Sequence, residues 1–250
     1  LTKDAVFDGR ITLVQPRTGY RFGLDALLLG DFAQVGPGQT VVDLGAGVGV
    51  IALALARRME RGRVLAVEVQ PRLAECARLN VAQNACDSLV QVLEMDWTEL
   101  TPDHCSGPVD LVVSNPPYRA LGTGRVNPNK EEAGARHEIH GSAATAAQTA
   151  AGLLKTGGRL AVIYPAARLI GLVQVLKTAG FEPKRLRLVH SRPGEKARLA
   201  LLEACLGGGE ELEVAPPLFV YQKKREYSVE VRAILAGETF AGQERRPDAL

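Results

Sequence analysis

Apolar positions along the chain follow two rhythms. Short, largely apolar runs, Thr40 to Leu44, Arg63 to Val67, Leu89 to Leu93, Val109 to Ser114, Arg159 to Tyr164, Arg185 to His190 and Arg198 to Ala204, read as seven strands. Between them, Val50 to Arg58, Pro71 to Asn84, Ser142 to Leu154 and Ala166 to Thr178 read as helices, with Pro71 at a first-turn position and Gly180 just past a last turn. That alternation predicts a mostly parallel seven-stranded sheet with helices on both faces. Near the ends the rhythm breaks. Residues Leu1 to Val35 hold a candidate strand, Arg10 to Val14, and a candidate helix, Leu24 to Ala33. Residues Gly207 to Leu250 hold three successive glycines, an apolar Leu218 to Tyr221, and a helix opened by Ser228 as N-cap. A single domain over 1–250 is expected, made of an N-terminal segment 1–35, an α/β core 36–206 and a C-terminal extension 207–250. Leu121 to Ala135, rich in Gly, Asn and Pro, reads as a long loop, of the kind that in compact domains carries function.

Composition narrows the class. With 46% hydrophobic and 23% charged residues and a mean hydropathy of zero, the chain can bury a substantial core, which excludes disordered, collagenous and disulfide-scaffold readings. The longest apolar run, Val41 to Ala56, carries Asp43 and several glycines and stops at Arg57, short of the roughly 20 residues a spanning helix needs. No charged region followed by an apolar one is visible at the start, so no secretory signal is expected. Cys76, Cys86, Cys105 and Cys205 are scattered without metal-ligand spacing, which points to a reducing cytoplasm and to no metal. A net charge of +2 is too mild to argue for a nucleic-acid partner by itself.

The chemistry concentrates after the strands. Asp43-Leu44-Gly45-Ala46-Gly47-Val48-Gly49 follows one strand and opens a helix, so its glycines let the backbone turn tightly and approach a ligand. A dinucleotide loop reads GxGxxG, whereas here the third glycine comes one residue early and an acid precedes the first. That spacing favours S-adenosylmethionine over a nicotinamide dinucleotide. No pyrophosphate has to be cradled, and the ammonium of the ligand's amino-acid end can be met by Asp43. Glu68 ends the next strand about 20 residues on, where an acid can accept from ribose hydroxyls. Asp96 ends the third strand region, near the place of an adenine ring, with Trp97 available to pack on it. Each acid alone reads as a turn or helix cap; three at the carboxyl ends of successive strands mark the edge where open α/β sheets bind ligands.

Asn115-Pro116-Pro117-Tyr118 follows the fourth strand directly. The prolines hold the chain rigid where Asn115 leaves the sheet. A planar amino group placed between the Asn115 side-chain oxygen and the Pro116 carbonyl would have both N–H groups accepted, which raises electron density on nitrogen and favours its pyramidalisation. Tyr118 can stack on the ring bearing that amino group. A Pro-Pro turn after a buried strand would explain rigidity without the Asn and Tyr flanks.

These residues resemble the class I S-adenosylmethionine-dependent methyltransferases of the amino-methylating branch. Nearly the full length is similar to the bacterial tRNA1(Val) (adenine-37-N6)-methyltransferase family: Gln15-Pro16 with Gly19-Tyr20-Arg21-Phe22, Asp25-Ala26-Leu27-Leu28, Asp43 to Val50, Asn80 with Asn84, the tetrapeptide, Ala135-Arg136-His137-Glu138, and Pro216-Pro217-Leu218 with Tyr221. The resemblance implies a Rossmann-like class I methyltransferase fold. It implies that Gly45, Gly47 and Gly49 line the cofactor tail, beside Asp43, that Glu68 holds the ribose, and that Asp96 and Trp97 hold the adenine. Asn115 to Tyr118 would hold the target base, with Asn115 also at the cofactor, and Arg21 and Asp25 belong to a segment that closes over the methionine end.

Lys184 to Arg198 is the most basic stretch, with Lys184, Arg185, Arg187, Arg192, Lys196 and Arg198 against Glu195 alone. Phosphate contacts need such a surface, and Arg119, Arg125 and Lys130, or Lys223, Lys224 and Arg225, can extend it. Arg119, Arg136, Lys184, Arg185 and Arg192 are the candidate RNA contacts; a solvated charged face is the competing reading. The expected activity is methyl transfer to an adenine N6 in tRNA. Three alternatives stay open: glutamine-N5 methylation of release factors, since an amide NH2 suits the same acceptors; guanine-N2 methylation of ribosomal RNA; and a cofactor- or RNA-binding protein without catalysis. The release-factor enzymes usually carry a larger helical N-terminal domain than the forty or so residues that precede the glycine loop here.

Overall fold

The computed structural model describes residues 1–19, 21–116, 143–223 and 225–238. Pro117, Tyr118, Arg119, Arg125, Lys130, the loop Leu121 to Ala135, Arg136, His137 and Glu138, and Lys224 lie outside them. A central sheet is built from β3 (Thr40–Leu44), β4 (Arg63–Glu68), β5 (Val90–Glu94), β6 (Val109–Ser114), β7 (Leu154–Pro165), β8 (Phe181–His190) and β9 (Ala197–Leu206). These are the seven strands the sequence predicts. Two further strands of two residues each, β10 (Glu213–Val214) and β11 (Leu218–Phe219), pair with the outer edge of β8 and bring the sheet to nine. The order is β10-β8-β9-β7-β6-β3-β4-β5, with β3 to β7 parallel and β9 antiparallel to both of its neighbours. Chain order therefore reverses between β3 and β6, a switch point at whose carboxyl edge open α/β sheets take their ligands.

Side-chain alternation along the strands feeds two cores. Val41, Val64, Ala66, Leu111, Val113, Ala161 and Ile163 enter one, while Val42, Leu44, Leu65, Val67, Val112, Leu160 and Val162 enter the other. Both faces are apolar because both are covered. The first core takes α1 (Leu24–Phe32), α2 (Val50–Ala56) and α6 (Val229–Ala236); the second takes α4 (Ala143–Leu153) and α5 (Leu169–Thr178). All seven residues of α2 are buried, so it is a core helix and not an amphipathic one. Gly30 lets α1 approach it, since a Cβ there would sit 3.0 Å from the Ala54 methyl.

Two further pairs of strands lie outside the central sheet. A hairpin of β1 (Thr2–Val6) and β2 (Ile11–Gln15) precedes α1 and lies against α3 (Pro71–Gln83). Beyond β11, β12 (Tyr221–Lys223) and β13 (Glu226–Tyr227) form a small antiparallel ribbon leading into α6. Ser228 caps α6 as expected, its hydroxyl accepting from the Val231 N–H. Among the described residues no helix is long and apolar enough to cross a membrane.

Candidate active site

Parallel register sets the candidate residues at one level. Leu44 pairs with Val67 on one side and with Ser114 on the other, and Ser114 pairs with Val162. The chain leaving β3, β4 and β6 at that level supplies the glycine loop, Glu68 and Asn115 along the carboxyl edge of the sheet.

The glycine loop depends on its glycines. Gly45, Gly47 and Gly49 take φ of 75°, 57° and 82°, the left-handed region that side chains disfavour. At Gly45 space is closed as well: a Cβ would lie 2.6 Å from the Trp97 ring. The loop is tied to β4 by the Gly45 and Ala46 N–H groups, both donating to the Val67 carbonyl at 2.9 Å. Gly47 N–H donates to Glu68 Oε2 at 2.8 Å, and Gln70 N–H to Glu68 Oε1 at 2.8 Å. Glu68 therefore clamps the loop to the end of its strand. Each carboxylate oxygen has more than one lone pair, so holding the loop leaves the acid able to accept from a ribose.

Asp43 is 0% exposed and neither of its carboxylate oxygens has a hydrogen-bond partner. Burial pushes its carboxyl up to about 7, the nearby Ala52 backbone N–H opposing the rise and the Glu68 charge adding to it. A buried acid left unpaired is costly, and a ligand that brings N–H donors and positive charge removes that cost. The ammonium of S-adenosylmethionine is such a ligand. The chain thus fits the cofactor on three features: an orphaned acid, a loop of left-handed glycines, and a second acid at the neighbouring strand end.

The other candidates separate. Asp96 caps a short 3₁₀ turn over Trp97–Glu99, its Oδ1 accepting from the Thr98 N–H at 2.9 Å and the Thr98 hydroxyl at 2.8 Å. Trp97 is 8% exposed and packs beneath Gly45, in the core that holds Val42 and Leu44. Its ring floors the glycine loop. Arg21 donates to Asp4 at 3.1 Å and to the Thr2 hydroxyl at 2.9 Å, which fastens the N-terminal hairpin. Asp25 is brought to the tetrapeptide instead, where its Oδ2 accepts from Asn115 Nδ2 at 3.1 Å. Nothing in the sequence announces that contact, since 90 residues separate the two.

The basic stretch divides too. Arg185 donates to the Phe32 carbonyl at 2.5 Å, stacks on the Phe32 ring and faces Glu203 at 3.6 Å. Arg187, 8% exposed, is paired with Glu230 at 2.6 Å and donates to the Pro216 carbonyl. Lys184 donates to the Gly209 and Glu210 carbonyls. Arg192 bridges to Glu195 and lies over the Tyr221 ring, which is stacked on Tyr227. Lys196 and Arg198 are exposed.

Comparison with known proteins agrees with this geometry. The methyltransferase small domain family matches residues 24–179. A protein of Porphyromonas gingivalis named tRNA1(Val) (adenine(37)-N6)-methyltransferase is 32% identical over 200 residues, covering 78% of each chain. One of the same name from Histophilus somni is 28% identical, covering 88% of this chain and 90% of its own. Among solved structures, a predicted O-methyltransferase of Agrobacterium tumefaciens superposes with a TM-score of 0.68 at 26% identity, covering 85% of this chain and 96% of that one. The chain therefore belongs to the methyltransferase small domain family and is an S-adenosylmethionine-dependent methyltransferase.

Proposed function

We propose that this methyltransferase acts on the N6 amino group of an adenine in tRNA, the adenine at position 37 of a valine tRNA being the expected target. The observation that carries this reading is Asn115-Pro116 leaving β6 in register with the glycine loop, so that a planar amino group and the cofactor share one edge. S-adenosylmethionine supplies a methyl group activated by a sulfonium leaving group. The Asn115 side-chain oxygen and the Pro116 carbonyl accept the two N–H groups of the target. They hold its lone pair along the line of attack and stabilise the positive character nitrogen gains as its bond to carbon forms and the carbon–sulfur bond breaks. The nitrogen then releases one proton to solvent. Asp43 and Glu68 orient the other reactant.

The names of the relatives supply the RNA part of the reading, and the surface beyond the site suits it. Arg192 over the Tyr221–Tyr227 stack, with exposed Lys196, Arg198, Lys223 and Arg225, clusters around the carboxyl end of β8. Three strand spacings, about 14 Å, separate β8 from β6. A nucleotide extruded at Asn115 would leave its flanking phosphates within reach of those cations. Lys184, Arg185 and Arg187 hold the fold together and take no part in this contact.

Transfer of radiolabelled methyl into tRNA, ribosomal RNA and release factor, followed by nucleoside analysis, tests the proposal. N6-methyladenosine in a valine tRNA is the expected product; label in guanosine or in protein overturns the substrate assignment. Asn115→Ala should lower kcat by about 10²–10³-fold, the scale of losing one preorganised polar group, with cofactor affinity unchanged. Undiminished single-turnover transfer by that variant would remove Asn115 from the chemistry.

A further inference from the structure

An asparagine amide is nearly symmetric in shape, with an oxygen on one side and an NH2 on the other, and only its hydrogen-bond partners decide which side is which. The orientation matters at Asn115. The amino group of a substrate needs an acceptor, and an amide turned the wrong way would oppose NH2 to NH2. Asp25 stands on the side where the donor is found, its Oδ2 accepting from Asn115 Nδ2 at 3.1 Å. A carboxylate accepts and cannot donate, so it holds the NH2 toward itself and repels Oδ1.

From this we infer that Asp25 is a positioning residue for methyl transfer, fixing the Asn115 amide so that Oδ1 faces the amino group to be methylated. The inference rests on the proposed role of Asn115 and adds the residue that sets its orientation. A second effect follows from charge. The hydrogen bond to an anion polarises the amide, draws electron density onto Oδ1 and makes that oxygen a stronger acceptor just as the substrate nitrogen becomes positive.

The local backbone is arranged around the Asp25 carboxylate. Asp25 Oδ1 accepts from the Ala26 N–H at 3.0 Å, leaving Oδ2 turned to Asn115. Gly23 makes room for it, because a Cβ at that position would fall 2.6 Å from Asp25 Oδ1. The Gly23 φ of −116° is open to any residue, so the constraint is the carboxylate and not the backbone. Asp25 does not cap α1 in the usual sense either, since the N-cap position is Gly23 and no side chain caps it. Half-buried in the first turn of α1 and bonded to the residue that follows β6, the acid joins the N-terminal segment to the catalytic one.

The test combines kinetics, cofactor binding and a double-mutant cycle on the full chain, with tRNA and S-adenosylmethionine as substrates. Asp25→Ser keeps an oxygen for the Ala26 N–H but is too short to reach Asn115. Its kcat should fall about tenfold to a hundredfold, with the Kd for S-adenosylmethionine within about twofold of the parent. Asp25→Asn, which keeps one acceptor oxygen for two donors and loses the charge, should recover only part of the loss. Gly23→Ala leaves Asp25 in the sequence and displaces its carboxylate, and should reproduce the kcat defect if Asp25→Ser is too unstable to assay. In an Asn115→Ala background, Asp25→Ser should cost nothing more. Parental kcat in both Asp25→Ser and Gly23→Ala would overturn the inference. So would a loss expressed wholly as weaker cofactor binding, or one that persists in full without Asn115. If the parent enzyme labels guanosine or protein in place of adenine, the same variants are read on that substrate, so the two assignments fail separately.

Discussion

Asp43 and Asn80 are each 0% exposed and adjoin the same glycine loop, but their polar atoms meet opposite fates. Asn80 Oδ1 accepts from the Val14 N–H at 2.6 Å, and its Nδ2 donates to the Val14 and Val48 carbonyls, both at 2.9 Å. One side chain thus locks β2, α3 and the loop together. Asp43 has no hydrogen bond at either oxygen. A buried polar group that is fully satisfied belongs to the scaffold, whereas one left wanting marks where a ligand completes the structure. The two positions therefore separate stability from binding.

The largest expected effect that can break this contrast is in pH. Burial raises the Asp43 carboxyl from 3.8 to about 7, so the folded chain holds that proton more tightly than the unfolded one. The contribution to stability is complete below pH 4, is lost as pH rises to about 7, and is flat above. Its size is on the order of 4 kcal/mol. Urea unfolding of the cofactor-free protein across that range should show the loss for the parent and not for Asp43→Asn; parallel profiles would mean that Asp43 does not titrate. Next, Asp43→Asn should weaken S-adenosylmethionine binding about 100-fold, near 3 kcal/mol, while leaving the empty protein at least as stable at pH 8. Equal calorimetric Kd values for parent and variant would take the acid out of the site.

Asn80→Ala sharpens the other side. It strips partners from three buried backbone groups and should cost about 3 kcal/mol of stability in denaturant unfolding. A stability within 1 kcal/mol of the parent would mean that water replaces the amide. The smallest change is expected at Asn84, whose side chain accepts from the Thr12 N–H at 3.0 Å and donates to the Thr12 carbonyl at 2.8 Å near solvent. Asn84→Ala should cost about 1 kcal/mol, and a larger loss than at Asn80 would reverse the ranking.

Much of this was legible in the sequence, for a local reason. Each central strand carries its own apolar pattern, and Asp43, Glu68 and Asn115 stand at strand ends that the pattern already marks. What escaped was tertiary. β1 has no buried apolar face, its five residues alternating between half-buried and exposed, so no hydrophobic signal betrays it. The only hint is Asp8-Gly9, a hairpin turn pair, and Phe7, Asp8 and Gly9 do take positive φ. Arg185 and Arg187 look from sequence like part of a basic surface because their acids, Glu203 and Glu230, lie far along the chain. Trp97 follows a strand-end acid and reads as a stacking residue for adenine; its place under Gly45 depends on a contact between β3 and the segment after β5. The Asp25–Asn115 bond is of the same kind.

The two short strands on β8 have a consequence for solubility. At ten residues, β8 is a long outer strand, and an open edge of that length invites another sheet to add to it. β10 occupies Arg185–Leu186, β11 occupies Val189–His190, and between them the buried Arg187 sends its guanidinium to the Pro216 carbonyl and to Glu230. The C-terminal extension thereby works as an edge guard, and substitutions that stop Glu213–Val214 and Leu218–Phe219 from pairing with β8, with α6 left in place, would keep the cofactor loop and give the chain a tendency to polymerise.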